Sequence, residues 1–149
     1  MTVTLEAIKN EQSKLAAMIA AFEQQPSFPI SVPFPSLNEG EKFVGVIISA
    51  DGSRRHYLIL LPGEKKGAKW QQAMEWAQSL GGELPDRVES ALLFATMKAV
   101  FAPEWYWTRE QLASDAGFAW GQGFHDGYQH YDHKSYEGRA RAVRRLAIQ

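Results

Sequence analysis

Gly81-Gly82-Glu83-Leu84-Pro85-Asp86-Arg87-Val88-Glu89 decides the fold, because one amphipathic helix ends at its first glycine and another starts after its aspartate. Ahead of it, Trp70, Ala73, Met74, Trp76, Ala77 and Leu80 recur at three- and four-residue steps, the spacing that stacks apolar side chains on one helical face. Gly81 supplies a left-handed C-cap. Asp86 stands three residues before Glu89 and heads the apolar set Val88, Ala91, Leu92, Ala95 and Val100, so its carboxylate can accept the free N–H groups of a first turn. Pro85 biases Leu84 away from helical angles and keeps the two helices apart.

Moving towards the N-terminus, Phe43–Ile48 and His56–Leu61 are β-rich runs around Ala50-Asp51-Gly52-Ser53, and an Asp-Gly pair in that setting predicts a hairpin. Their near-continuous apolar character predicts central strands, and Pro62–Gly67 then leads into the Trp70 helix. Further back, Pro26, Pro29, Pro33 and Pro35 interleave with Phe28, Ile30, Val32 and Phe34. Missing donors every few residues preclude helix or central strand and predict a stiff, extended spacer over 26–40. Over 1–25, Leu5, Ile8, Gln12, Leu15, Ile19 and Phe22 form a heptad seam with one polar position. A seam so narrow suits helix-on-helix pairing, the alternative being a helix packed on its own domain. Self-association through these six residues is expected, and their mix of β-branched and γ-branched side chains does not select between two and three strands.

Moving towards the C-terminus, Trp105–Thr108, Phe118–Phe124, Tyr128–Tyr131 and Arg139–Leu146 each predict a strand bounded by turn residues, together an aromatic-rich antiparallel sheet over the last part of 41–149. Alternation puts Trp120, Gln122 and Phe124 on one face, opposite Ala119, Gly121 and Gly123, and predicts Trp120 and Phe124 buried against a helix.

The chain has 149 residues, 45% of them hydrophobic and 12% aromatic, with a formal charge of −1 and no cysteine. That composition fits one folded domain with an appendage. Bulk charge gives no pull towards nucleic acid or anionic lipid, and thiol chemistry, disulfides and zinc–thiolate sites are excluded. No apolar run approaches the roughly 20 residues of a membrane span, and no signal peptide is evident, so a cytoplasmic location is expected, with a phage particle leaving the same trace.

The order Trp70-x-x-Ala73, Gly81-Gly82, Leu84-Pro85-x-Arg87-x-Glu89, Leu92-Leu93, Tyr106-Trp107-Thr108, Ala119-Trp120, Phe124-x-x-Gly127 and Arg141-x-Val143-Arg144 resembles the C-type-lectin-like fold. Within it, the pattern is most similar to phage and bacterial domains of unknown function grouped with the C-terminal domain of collagen-like adhesins. The resemblance covers Phe43 to Leu146 and implies an α+β domain; the coiled-coil-like N-terminal helix and the spacer before Lys42 lie outside it. The Glu-Pro-Asn or Gln-Pro-Asp and Trp-Asn-Asp motifs of calcium-dependent sugar binders do not occur, nor do the cysteines of formylglycine-generating relatives. Phage receptor-binding relatives present late aromatics from a trimer, so the resemblance favours a trimer here, with a dimer the alternative; the motif order, with no catalytic or calcium-binding signature beside it, implies a non-catalytic protein-binding module, a phage or prophage accessory protein engaging a host protein, or a virion tail component.

The densest chemical cluster is His125, Asp126, His130, Asp132 and His133, three of the four histidines within nine residues. Imidazole and carboxylate are competent metal ligands. In a strand His130 and Asp132 share a face and His125 could join across the hairpin, which is the basis of an alternative reading as a metal-dependent enzyme. The competing readings are a polar loop and a surface that contacts a partner without metal. Tyr128, Tyr131 and Tyr136 sit among polar residues and are expected to face solvent. Together these eight residues are the candidate partner-binding set; no cofactor, metal or catalytic residue is assigned. Ser90 and Ser135 lack a nucleophile-elbow setting. Arg139, Arg141, Arg144 and Arg145 could touch phosphate, but pairing with neighbouring carboxylates is the expected outcome, and nucleic acid is not an expected partner.

Overall fold

A computed structural model describes residues 2–25 and 34–149, in two units, Met1–Phe34 and Pro35–Gln149. Most of the proline-rich spacer, from Pro26 to Pro33, lies outside the described residues. Among its described residues the first unit holds one helix, α1 (Leu5–Glu23), started by Thr4, whose hydroxyl accepts the Ala7 N–H at 3.2 Å. None of its residues is buried, and all five apolar seam residues are at least half exposed.

The second unit is α+β. In chain order it runs β1 (Lys42–Ile48), β2 (Arg55–Leu60), β3 (Lys65–Ala68), α2 (Trp70–Ser79), α3 (Arg87–Met97), a 3-10 turn (Lys98–Val100), β4 (Trp105–Leu112), β5 (Asp115–Gly123), β6 (Gln129–His133), β7 (Gly138–Ala140) and β8 (Val143–Ala147). The strands form a three-stranded sheet, β1-β2-β8, and a five-stranded sheet, β3-β7-β4-β5-β6.

Both helix boundaries fall where local chemistry sets them. Gly81 adopts φ +78°, the Gly82 N–H reaches back to the Ala77 carbonyl at 3.1 Å and the Gly81 N–H to Gln78 at 3.0 Å, a Schellman end to α2. The Asp86 carboxylate accepts the Glu89 N–H at 2.7 Å while Glu89 accepts the Asp86 N–H at 2.9 Å, a complete capping box. α2 packs Trp70, Ala73 and Ala77 against Trp107, Ala119 and Ala140 of the larger sheet. α3 buries Leu93 with Leu58, Leu60, Tyr106, Phe124 and Val143.

Several expectations are corrected. β1 is an edge strand, with Val46 and Ile48 exposed; only β2 is central, carrying an unbroken buried run from Tyr57 to Leu61. A short strand, β3, precedes α2 in what reads as a turn. The segment Arg139–Leu146 is two strands broken at Arg141-Ala142: β7 joins β4 in parallel, and β8 crosses to pair β2. The last strands therefore do not form one antiparallel sheet. The buried face of α3 is Glu89, Ser90 and Leu93, whereas Val88, Ala91 and Ala95 are exposed.

Gly121 shows how closely the larger sheet is packed. A Cβ there would lie 2.0 Å from the Trp105 ring. Gly121→Ala is expected to force that ring aside and cost about 1–3 kcal/mol as overpacking, read as a lower urea midpoint at unchanged slope. A midpoint equal to the parent's would contradict the contact.

Candidate functional site

The β5–β6 hairpin carries most of the partner-binding set. Asp126 shapes its turn by accepting the Tyr128 N–H at 3.0 Å, and Gly127 takes φ +80°. Tyr128 is 71% exposed, Tyr131 and Tyr136 both 48%, as expected from their polar neighbours. β6 itself is an edge of the five-stranded sheet.

Register then sorts the aromatic residues. Phe118 pairs with His133, Trp120 with Tyr131 and Gln122 with Gln129, so these six share a face. Phe124, in contact with Phe94 of α3, is buried, as expected, and so is Gln122, but Trp120 is only half-buried. What covers it is one side chain: the Arg87 guanidinium lies 3.7 Å from the Trp120 ring centroid. Tyr131 meets Trp120 edge-on at 5.3 Å and Phe118 at 5.8 Å, and His133 meets Phe118 at 5.4 Å. The result is an aromatic shelf leading from the first turn of α3 to the sheet edge.

An amide relay fixes Arg87 on this shelf. Gln122 donates to the Gly123 carbonyl at 2.9 Å; Gln129 donates to Gln122 Oε1 at 2.9 Å and to the Arg87 carbonyl at 2.7 Å. Gln129 Oε1 in turn accepts Arg87 Nε–H at 3.0 Å. Nη1 and Nη2 of Arg87 donate to no group among the described residues, so a rigid fork of donors is left facing outward. Sequence reading missed Arg87, since its role depends on Trp120 and Gln129, over thirty positions away.

The opposite face holds Trp105, with His130 stacked at 6.0 Å and Tyr136 edge-on at 5.5 Å. The His/Asp cluster does not converge. His125 pairs with its neighbour Asp126 at 3.2 Å rather than reaching across the hairpin. Asp132 accepts the His133 N–H at 2.7 Å, while His133 Nδ1 lies 2.6 Å from Ser135 Oγ and accepts the Ser135 N–H at 3.1 Å, bonds that close the β6–β7 turn. Among the described residues no three His, Cys, Asp or Glu side chains are grouped to hold a metal ion. Ser90 is buried on α3.

Three of the four C-terminal arginines are ion-paired, as expected: Arg139 with Glu64 at 2.8 Å, Arg144 with Glu41 at 2.7 Å and Arg145 with Glu89 at 2.6 Å. Arg141 donates instead to the Val100 and Leu61 carbonyls. Glu89 is fully buried and also meets His56 Nε2 at 2.9 Å. Burial alone would raise its pKa, but Arg145, the Asp86 N–H and His56 together hold it below the ordinary value. Asp86 is shifted the other way, raised by its burial and by the neighbouring Glu89 and Glu110 carboxylates. Asp86, His56 and Arg145 border a groove of about 490 Å³ whose other walls include Ile47, Ile48, Val88 and Arg109. The paired carboxylate and guanidinium bolt α3 to β8, a structural task.

The fold and site thus define an α+β domain with an aromatic, arginine-bearing sheet edge. No family model matches the chain, and no curated protein matches it either. Among the described residues no helix is long and apolar enough to cross a membrane.

Proposed function

We propose that the chain is a non-catalytic protein-binding module of C-type-lectin-like fold, self-associated through α1, that engages its partner at the β6 edge of the five-stranded sheet. The observation that carries this reading is the exposure of Tyr128, Tyr131 and Tyr136 around one edge strand. Large, rigid tyrosines give contact area at low entropic cost, which is why they concentrate binding energy in interfaces. The exposed seam of α1 supports assembly, because a helix that buries nothing of its own gains only by finding another surface. The motif order from Trp70 to Arg144 supports a phage or prophage accessory protein acting on a host protein in the cytoplasm.

The test compares the parent with a Tyr128→Ala/Tyr131→Ala/Tyr136→Ala variant as baits for host proteins, with fold checked by circular dichroism. A partner captured by the parent should bind the variant more weakly by at least about a hundredfold, since each of the three interface tyrosines lost costs on the order of 1–2 kcal/mol. Equal affinity would move the binding surface away from β6.

A further inference from the structure

We propose that the partner segment is an extended peptide carrying a glutamate, added as a strand to the free edge of β6 with its carboxylate on the Arg87 guanidinium. This rests on the protein-binding reading and names the chemistry of the partner.

The Gly123 N–H bonds to the Tyr128 carbonyl at 2.8 Å and the Lys134 N–H to Gly117 at 2.9 Å, so even-numbered residues of β6 turn their main-chain groups towards β5. Gln129, Tyr131 and His133 turn theirs outward. His133 is already satisfied, its N–H by Asp132 and its carbonyl by the Tyr136 N–H at 2.8 Å. The N–H and C=O of Gln129 and Tyr131 have no partner among the described residues, and such a row of open groups is what strand addition uses.

Side-chain chemistry selects the residue. Arg87 offers both terminal nitrogens, in the planar geometry that matches a carboxylate bidentately. Stacking on Trp120 and the bond to Gln129 hold the guanidinium in place, so little rotamer entropy remains to be lost on binding. Reach is also satisfied: Gln129, on the edge strand itself, already touches Nε, and a glutamate of the same length one strand spacing further out, about 4.8 Å, can address Nη. One guanidinium balances one negative charge. Glu110, which accepts the Arg87 N–H, would repel a dianion, so a carboxylate is favoured over a phosphate.

The test measures anisotropy of fluorescein-labelled hexapeptides of alternating Thr and Val with a central Glu, Gln or phosphoserine, titrated with the full chain. The Glu peptide should bind about tenfold tighter than the Gln peptide. Arg87→Gln should erase that preference, and Arg87→Lys should keep part of it. N-methylation of the peptide at alternate residues should weaken binding at the edge-facing positions only. Equal binding of Glu and Gln peptides, tighter binding of phosphoserine, a preference that survives in Arg87→Gln, or no binding of any peptide up to about 1 mM would overturn the proposal. If the tyrosine variant loses its partner while Arg87→Gln keeps it in full, protein binding at β6 stands and the glutamate contact falls.

Discussion

Glu89→Ala is expected to destabilise the Pro35–Gln149 unit by about 3–5 kcal/mol, the cost of leaving a buried ion without its partner. Three groups converge on this fully buried carboxylate: Arg145 through Nε at 2.7 Å and Nη2 at 2.6 Å, His56 at 2.9 Å and the Asp86 N–H at 2.9 Å. Arg145 is only 19% exposed, so the guanidinium stranded by the substitution cannot turn to solvent. Glu83 still touches its other nitrogen, but it is half exposed and a weaker counter-ion. A domain of ordinary stability, about 5–15 kcal/mol, would lose a large share of it. The Glu89→Leu/Arg145→Leu double variant should recover most of the loss, because it removes both ions and keeps apolar volume. Urea unfolding at neutral pH reads both effects, and a single-variant loss under about 1 kcal/mol would show that the pair does not hold α3.

The same pair sets a pH dependence with a definite sign. Because the folded pKa of Glu89 lies below the ordinary 4.5, the unfolded chain takes up the proton first on acidification. Its stabilisation is therefore whole above 4.5 and is lost as pH falls through the depressed folded value. Asp86 contributes with opposite sign: raised above 3.8, its charged form costs stability that acidification relieves. The readout is accordingly the gap between parent and Glu89→Ala, constant near neutrality and narrowing below pH 4.5. A gap that widens on acidification would reverse the assignment.

The second large effect concerns assembly. Ile8→Asp and Leu15→Asp together should abolish the proposed self-association through α1 and leave a monomer, with the Pro35–Gln149 unit still folded. Seam positions alternate between Leu5, Gln12 and Ile19 and Ile8, Leu15 and Phe22, so two aspartates would be buried in every pairing register that uses the seam. Each unpaired buried ion costs several kcal/mol. Five apolar seam residues contribute about 1.5–3 kcal/mol each at most, a gain that two ions placed within the same seam cancel. So short a coil cannot absorb that loss. Light scattering gives the mass directly: a trimer or dimer for the parent and a monomer for the variant. If the variant keeps the parent's mass, the seam is not the interface.

By itself the sequence determined what is local. Gly81 ends α2 and Asp86 with Glu89 starts α3 because caps act within one helical turn; Asp51-Gly52 closes the β1–β2 hairpin for the same reason; and Tyr128, Tyr131 and Tyr136 stay outside because their neighbours are polar. What required the tertiary structure is everything that depends on partners distant in the chain. Sequence periodicity puts Val88 and Ala91 on the buried side of α3, yet the helix turns Glu89 and Ser90 inward, because Arg145 on β8, 56 positions away, supplies the counter-ion that lets a carboxylate be buried. Composition makes β1 and β2 alike, but only one of them has a β8 beside it. Arg139–Leu146 reads as one strand, and it breaks at Arg141-Ala142 because its two halves pair with different sheets. Arg87 reads as an ordinary first-turn residue of a helix; the sheet register that brings Trp120 and Gln129 beneath it is what makes it a fixed, outward-facing cation. Local signals fix where elements begin and end, whereas the choice of neighbour is made by packing and charge pairing between segments that no spacing rule connects.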